Sequence, residues 1–169
     1  MKSRVALASA FLLALVSLPA AAVAPEEDFI GRFGGNWSGS GTIIKGDVPF
    51  QVSCRASGQP GPNQVAIEGS CSVAIASMKI AADVVFDPAT SRYSGIYIGA
   101  KVGPAQVSGK RSGDVVHLTV NWPAPVNGQM KAQLAIENAG NGRLRIMLIE
   151  NIASDGGQVT THELVLSKA

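Results

Sequence analysis

The stretch that decides the fold runs from residue 129 to residue 150. It reads Gln129-Met130-Lys131-Ala132-Gln133-Leu134-Ala135-Ile136-Glu137, then Asn138-Ala139-Gly140-Asn141-Gly142, then Arg143-Leu144-Arg145-Ile146-Met147-Leu148-Ile149-Glu150. In the first arm Met130, Ala132, Leu134 and Ile136 share one face, while Gln129, Lys131, Gln133 and Glu137 share the other or end the run. A period of two is the signature of a strand with one buried face. The second arm repeats it, with Leu144, Ile146 and Leu148 against Arg143 and Arg145. The Asn- and Gly-rich residues between the arms favour a turn. The segment is therefore a β-hairpin.

The same pattern extends outward in both directions. Phe50, Val52 and Cys54 alternate with Gln51, Ser53 and Arg55. Val65, Ile67, Cys71 and Val73 alternate with Glu68, Ser70 and Ser72. Turn signals at Gly46-Asp47, Ser57 to Asn63, Asp87 to Arg92, Ser112-Gly113-Asp114, Pro123 to Gly128 and Asp155-Gly156-Gly157 divide the chain into about ten short strands. Short connections make consecutive strands antiparallel. Ten strands in an open sheet would leave two exposed edges, which closure removes. The predicted fold class is therefore all-β: an antiparallel meander of about ten strands closing into a small barrel. A two-sheet sandwich is the rival. One short helix is predicted over Pro25 to Phe33, with Pro25 at its start, acids at Glu26, Glu27 and Asp28, and Gly34-Gly35 stopping it. Phe29, Ile30 and Phe33 form its apolar edge.

The first 22 residues read differently. Lys2 and Arg4 precede an uncharged apolar run from Val5 to Val16, then Leu18-Pro19 and a series of small residues. This is the layout of a cleaved secretory signal, too short for a stable membrane anchor. Cleavage after Ala22 leaves residues 23–169 as one domain, large enough for a core. The full chain carries 14 Lys and Arg against 12 Asp and Glu. The signal removes Lys2, Arg4 and no acid, so the mature chain is neutral. A neutral chain without a basic run argues against nucleic acid as a partner. No second long apolar stretch suggests a membrane span, and a monomer is expected. Export to the periplasm makes a Cys54–Cys71 disulfide the default. Both cysteines share the apolar parity of strands flanking the turn near Pro60 to Asn63.

The stretch Phe33-Gly34-Gly35-Asn36-Trp37-Ser38-Gly39-Ser40-Gly41 follows the predicted helix. Its Gly-x-Trp start resembles that of the calycin-type barrels: lipocalins, fatty-acid-binding proteins, avidins, nitrobindins and small bacterial metalloprotease inhibitors. The chain as a whole is also similar to small exported proteins of Gram-negative bacteria with no assigned activity. The resemblance implies that Trp37 points inward and plugs the closed end of a barrel. Gly39 and Gly41 would permit strong strand curvature. It also implies an arginine near the last strands stacked on the tryptophan. Arg143 and Arg145 are the nearest in sequence, although alternation puts both on the polar face.

Catalytic constellations are absent from the sequence. There is no Gly-x-Ser-x-Gly elbow, no phosphate-cradling loop, and no His, Cys and acid cluster that would supply three or four zinc ligands. His117 falls on a polar face, whereas His162 shares parity with Leu164 and Leu166. A nitrobindin-like reading would make His162 an axial haem ligand, and an ordinary strand histidine is the plainer alternative. Trp37, Tyr97 and Trp122 are the candidate ligand-binding residues, with Tyr93 a further candidate; cross-strand packing is the competing explanation. No cofactor or metal is expected. The expected function is that of a non-enzymatic periplasmic barrel that binds an apolar small molecule or supports the envelope through an envelope protein. The alternatives are a protein-binding module, such as a protease inhibitor, and a haem barrel using His162. A lumen above roughly 300 Å3 would favour a ligand carrier, and a filled one a structural or protein-binding role.

Overall fold

The structure is a computed structural model that describes residues 24–46, 48–151 and 157–169. The expected signal segment, residues 1–22, lies outside the described residues, as do Asp47, Asp155 and Gly156. A short helix, α1 (Glu26–Gly31), is followed by β1 (Gly35–Lys45), β2 (Val48–Pro60), β3 (Gln64–Val73), β4 (Ala76–Asp87) and β5 (Arg92–Ile98). Then come β6 (Ala105–Ser112), β7 (Val115–Val126), β8 (Gln129–Glu137), β9 (Arg143–Glu150) and β10 (Val159–Lys168). Each strand pairs with the next, and β10 returns to β1, so the sheet is a closed barrel. All pairings are antiparallel. The predicted all-β barrel is thus the observed fold, and the sandwich is excluded.

Closure depends on the β1–β10 ladder, which runs from Trp37 opposite Lys168 to Ile43 opposite His162. Here the strands coil tightly. A Cβ on Gly39 would lie 2.1 Å from the Val165 carbonyl oxygen, and one on Gly41 would lie 2.0 Å from that of Glu163. Only glycine permits this approach, so the two residues singled out for curvature sit at the seam.

Because the meander is antiparallel, its loops fall alternately at two ends. The end where β1 starts is covered by α1. Phe29, Ile30, Phe33 and Trp37 are all buried there. The Trp37 indole N–H donates to the Phe33 carbonyl at 2.9 Å, tying the first strand to the helix exit. The cation over the Trp37 ring is Lys168, with Nζ 5.5 Å from the centroid. Arg143 and Arg145 are exposed, and Arg145 instead pairs with Glu163 across the β9–β10 surface. The stacking position is thus filled from the last strand, by a lysine.

Polar clamps hold the helix in place. Glu26 accepts hydrogen bonds from Arg111 Nε and Nη2 and from the Tyr93 hydroxyl. The Arg111 guanidinium also lies 4.6 Å from the Phe29 ring centroid. Arg32 donates to Asp114 at 2.6 Å and to the Asn138 carbonyl at 2.8 Å, which joins the helix exit to two loops.

Three element boundaries differ from the sequence expectation. Residues Ser57 to Pro60 continue β2 and pair with β3, leaving only Gly61, Pro62 and Asn63 as the turn. Pro123 to Pro125 continue β7 as extended chain, but the register against β8 shifts between Asn121 and Val126. Proline has no N–H to donate to a ladder, so extension and pairing part company there. The helix stops at Gly31, before Phe33.

Cys54 and Cys71 lie directly opposite each other on β2 and β3 and form a disulfide. They are 17 residues apart in sequence. A loop of that size is worth on the order of 3 kcal/mol through restriction of the unfolded chain. Urea titration of the Cys54→Ala/Cys71→Ala variant should lower the unfolding free energy by about that amount. An unchanged midpoint would show that the bond contributes nothing to stability.

Candidate ligand site in the barrel lumen

The inward face of the barrel differs along its axis. Toward α1 it is filled by Trp37, Val116, Leu144 and Leu166, each 4 % exposed or less. The middle is not filled. Ile67, Ile80, Ala82, Tyr97, Ile136 and Ile146 face inward yet keep accessible surface. They border an apolar cavity of about 100 Å3, together with Val84, Val107, Leu118, Leu134 and Leu164. The wall is drawn from eight strands, β3 to β10, so no local segment of sequence encodes it.

The physical reason for the void is side-chain size. A ten-stranded barrel is wider than one whose lumen medium aliphatics can fill. The chain has only five Phe, two Tyr and two Trp. Phe29, Phe33, Trp37 and Tyr93 are committed to the covered end. Isoleucine and alanine must span the middle, and they do not reach across it.

The sequence candidates separate accordingly. Trp37 belongs to the plug and does not border the cavity. Tyr93 is bound to Glu26 beneath the helix, and burial, followed by that carboxylate, raises its pKa. Tyr97 lines the cavity, and its ring centroid lies 6.0 Å from that of Trp122. Burial pushes the Tyr97 hydroxyl up to about 12, so it is neutral at physiological pH. Trp122 is 4 % exposed and backs Tyr97 rather than bordering the cavity. The structure thus brings Tyr97 and Trp122 together and leaves Trp37 apart.

Beyond the cavity, toward the end without a helix, two polar side chains, His162 and Glu150, join an inward face that is otherwise apolar, with Ile43, Val52, Val73 and Trp122. His162 occupies the inward position next after Leu164 on β10, and its Nδ1 is 3.1 Å from the Thr161 hydroxyl. Thr161 is the extra residue where the β9–β10 register shifts between Thr160 and His162. Burial lowers the His162 pKa, and the nearby Glu150 carboxylate partly opposes this. Glu150 ends β9 and is 1 % exposed. It accepts a hydrogen bond from Asn127 Nδ2 at 2.8 Å. This acid was missed at the sequence level, although strict alternation places residue 150 with Leu144, Ile146 and Leu148. His117 is exposed, as its parity predicted. Among the described residues no group of three or more His, Cys, Asp or Glu could hold a metal ion.

A larger depression of about 390 Å3 lies outside the wall, along Asn141, Arg143, Arg145 and Glu163. Its floor is the polar face of the sheet, and the exposed Arg145–Glu163 ion pair belongs to it. Specific small-molecule sites are concave and mostly apolar, which favours the lumen.

No protein-family model matches the chain. No curated protein matches it either. Among solved structures it is similar to the crystal structure of Rv2717c from M. tuberculosis, at 13 % identity and a TM-score of 0.65. The match covers 88 % of this chain and 99 % of that one. At this identity the likeness shows the shared barrel fold and nothing about activity.

The His162 environment has a measurable consequence. Its folded pKa lies below the unfolded value, so the unfolded chain takes up a proton first as pH falls. The stability due to neutral His162 is therefore complete above about pH 6.5 and is lost as pH drops through the folded value. Urea midpoints at about pH 7.5 and about pH 5.5 should fall further for the wild type than for His162→Gln. Equal slopes for both proteins would remove His162 as a source of the dependence.

Proposed function

We propose that this protein is a non-enzymatic periplasmic barrel, calycin-like in construction, that holds a small apolar molecule in its lumen. The observation that carries this reading is the apolar cavity of about 100 Å3 walled by eight strands; it falls short of the roughly 300 Å3 expected of a carrier of larger ligands, so the reading is confined to very small apolar molecules. Engineered apolar cavities of about 150 Å3 stay dry and take up benzene or xenon. The volume favours a ligand of that scale over a lipid or a macrocycle, whose pockets run from roughly 300 Å3 upward. His162 does not line the cavity, whose volume of about 100 Å3 is too small for a haem, and that alternative is not carried forward. The signal-like residues 1–22 and the disulfide support export.

The test uses protein recovered from the periplasm of an expressing bacterium. Its mass should correspond to a chain beginning at Val23. In NMR titrations benzene should shift methyl resonances of Ile67, Ile80 and Ile146, with a Kd on the order of 1 mM or tighter. Ala82→Phe, which fills the void, should weaken binding at least about tenfold. Absence of benzene-induced shifts in the wild type would reject the lumen reading.

A second reading has its own observation. The uncovered end carries exposed apolar side chains among the described residues. Ile75 is fully exposed at the β3–β4 turn, and Val48, Phe50 and Met130 are 53 %, 39 % and 49 % exposed. Ala74, beside Ile75, has φ +50°, a conformation usually given to Gly or Asn. Such a rim suits contact with an envelope protein. A pull-down from envelope extract should recover a partner with wild-type protein and lose it with Ile75→Asp. Recovery of the same proteins by both would reject this use of the rim.

A further inference from the structure

Two hairpin turns at the uncovered end are built from opposite chemistry. Between β7 and β8, Val126 pairs with Gln129, so Asn127 and Gly128 alone make the turn, at φ +48° and +78°. Asn-Gly is the polar pair that such a turn prefers. Between β3 and β4, Val73 pairs with Ala76, and the turn is Ala74-Ile75. Ala74 adopts φ +50° without the short polar side chain that eases Asn into that region. Ile75 beside it is fully exposed. An apolar tip is thus kept where turn chemistry and hydration both disfavour it. Val48, Pro49 and Phe50 are exposed on the adjoining β1–β2 hairpin, and Met130 is exposed at the start of β8.

Charge at this end is equally one-sided. Lys45 ends β1, Lys79 lies near the start of β4, Lys101 is in the β5–β6 loop and Lys131 lies near the start of β8. All four are exposed, and none is in an ion pair among the described residues. Glu150 at this end is buried, and Glu163, midway along β10, is paired with Arg145. Asp47 and Asp155 lie in the loops of this end in sequence and outside the described residues, so four lysines stand against two loop acids. The strand order sets the β3–β4 turn between the β1–β2 turn and the β5–β6 loop, with Lys45 on one side and Lys101 on the other.

We propose that the uncovered rim docks on an anionic phospholipid surface, with Ile75 and its apolar neighbours entering the headgroup region and Lys45, Lys79 and Lys101 meeting lipid phosphates. Interfacial binding uses this combination, in which apolar burial supplies depth and basic side chains supply attraction to anionic lipid. Lysine suits the role because its long stem lies along apolar surface while its charge reaches a headgroup. A protein partner would need a recess shaped to Ile75 and acids placed opposite each lysine. A lipid surface accepts a protruding tip and scattered cations without such a match. The docking is independent of what the lumen holds, and it competes with an envelope protein for the same rim.

The experiment floats the mature protein with vesicles of phosphatidylcholine alone or mixed with phosphatidylglycerol. The mixed vesicles should bind at least about tenfold more tightly. That preference should fall to about twofold or less when sodium chloride rises from about 50 mM to about 500 mM. Ile75→Asp should weaken binding to mixed vesicles at least about tenfold. In Ile75→Trp, the added indole emission should shift to the blue on mixed vesicles and not on phosphatidylcholine. Lys45→Gln/Lys79→Gln/Lys101→Gln should lose the preference for mixed vesicles, while Lys110→Gln, exposed at the covered end, should keep it. These positions are exposed, so thermal midpoints of the variants should match the wild type. Equal binding to both vesicle types, or to neither, would overturn the proposal. So would unchanged binding by Ile75→Asp, or a loss in Lys110→Gln as large as in the triple variant. Capture of a protein from delipidated envelope extract that depends on Ile75, without vesicle binding, would give the rim to a protein partner instead.

Discussion

The hydrogen-bonded seam between β1 and β10 is the constraint on which the remaining structure depends. Without it the ten strands would form a ribbon with two unpaired edges, each a template for association. With it, every strand has two neighbours and the inward faces enclose one space. The seam exists because Gly39 and Gly41 let β1 press against the carbonyls of Val165 and Glu163. Side chains at those two positions would hold the strands apart, and the curvature that brings the last strand back to the first would be lost.

Closure creates a second problem, which is how to fill the enclosed space. The protein solves it at one end only. There α1 delivers Phe29, Ile30 and Phe33, and Trp37 lies beneath them, anchored by its bond to the Phe33 carbonyl. The Glu26, Arg111 and Tyr93 contacts and the Arg32 contacts to Asp114 and Asn138 hold that helix to the barrel. Further along the axis Tyr97 and Trp122 are the large rings and the isoleucines leave a gap. The gap is thus a consequence of where the few large residues are spent.

Electrostatics follows the same axis. At the helix end the half-buried Glu26 carboxylate has its guanidinium from Arg111, an arrangement that locks an element in place. At the other end the buried Glu150 side chain accepts one hydrogen bond from Asn127, and burial lowers the pKa of His162.

Much of this was legible in the sequence. Period-two alternation in Gln129 to Glu150 and in the flanking segments determined strand content, inward faces and the shared parity of Cys54 and Cys71, because alternation is a local property of extended backbone. Antiparallel order followed from short loops. Boundaries at Ser57 to Pro60 and Pro123 to Pro125 were not legible, because turn-forming composition yields to pairing when a neighbouring strand continues. The partner of Trp37 was Lys168 rather than an arginine, a matter of which last-strand residue reaches the ring. Sequence parity also placed His162 inward, yet passed over Glu150, which ends β9 at an inward, buried position. The cavity and the separation of Trp37 from Tyr97 and Trp122 were decided only by the tertiary structure. Each depends on side chains brought together from strands far apart in the chain, and alternation says which way a residue points but not how far across the barrel its neighbours reach.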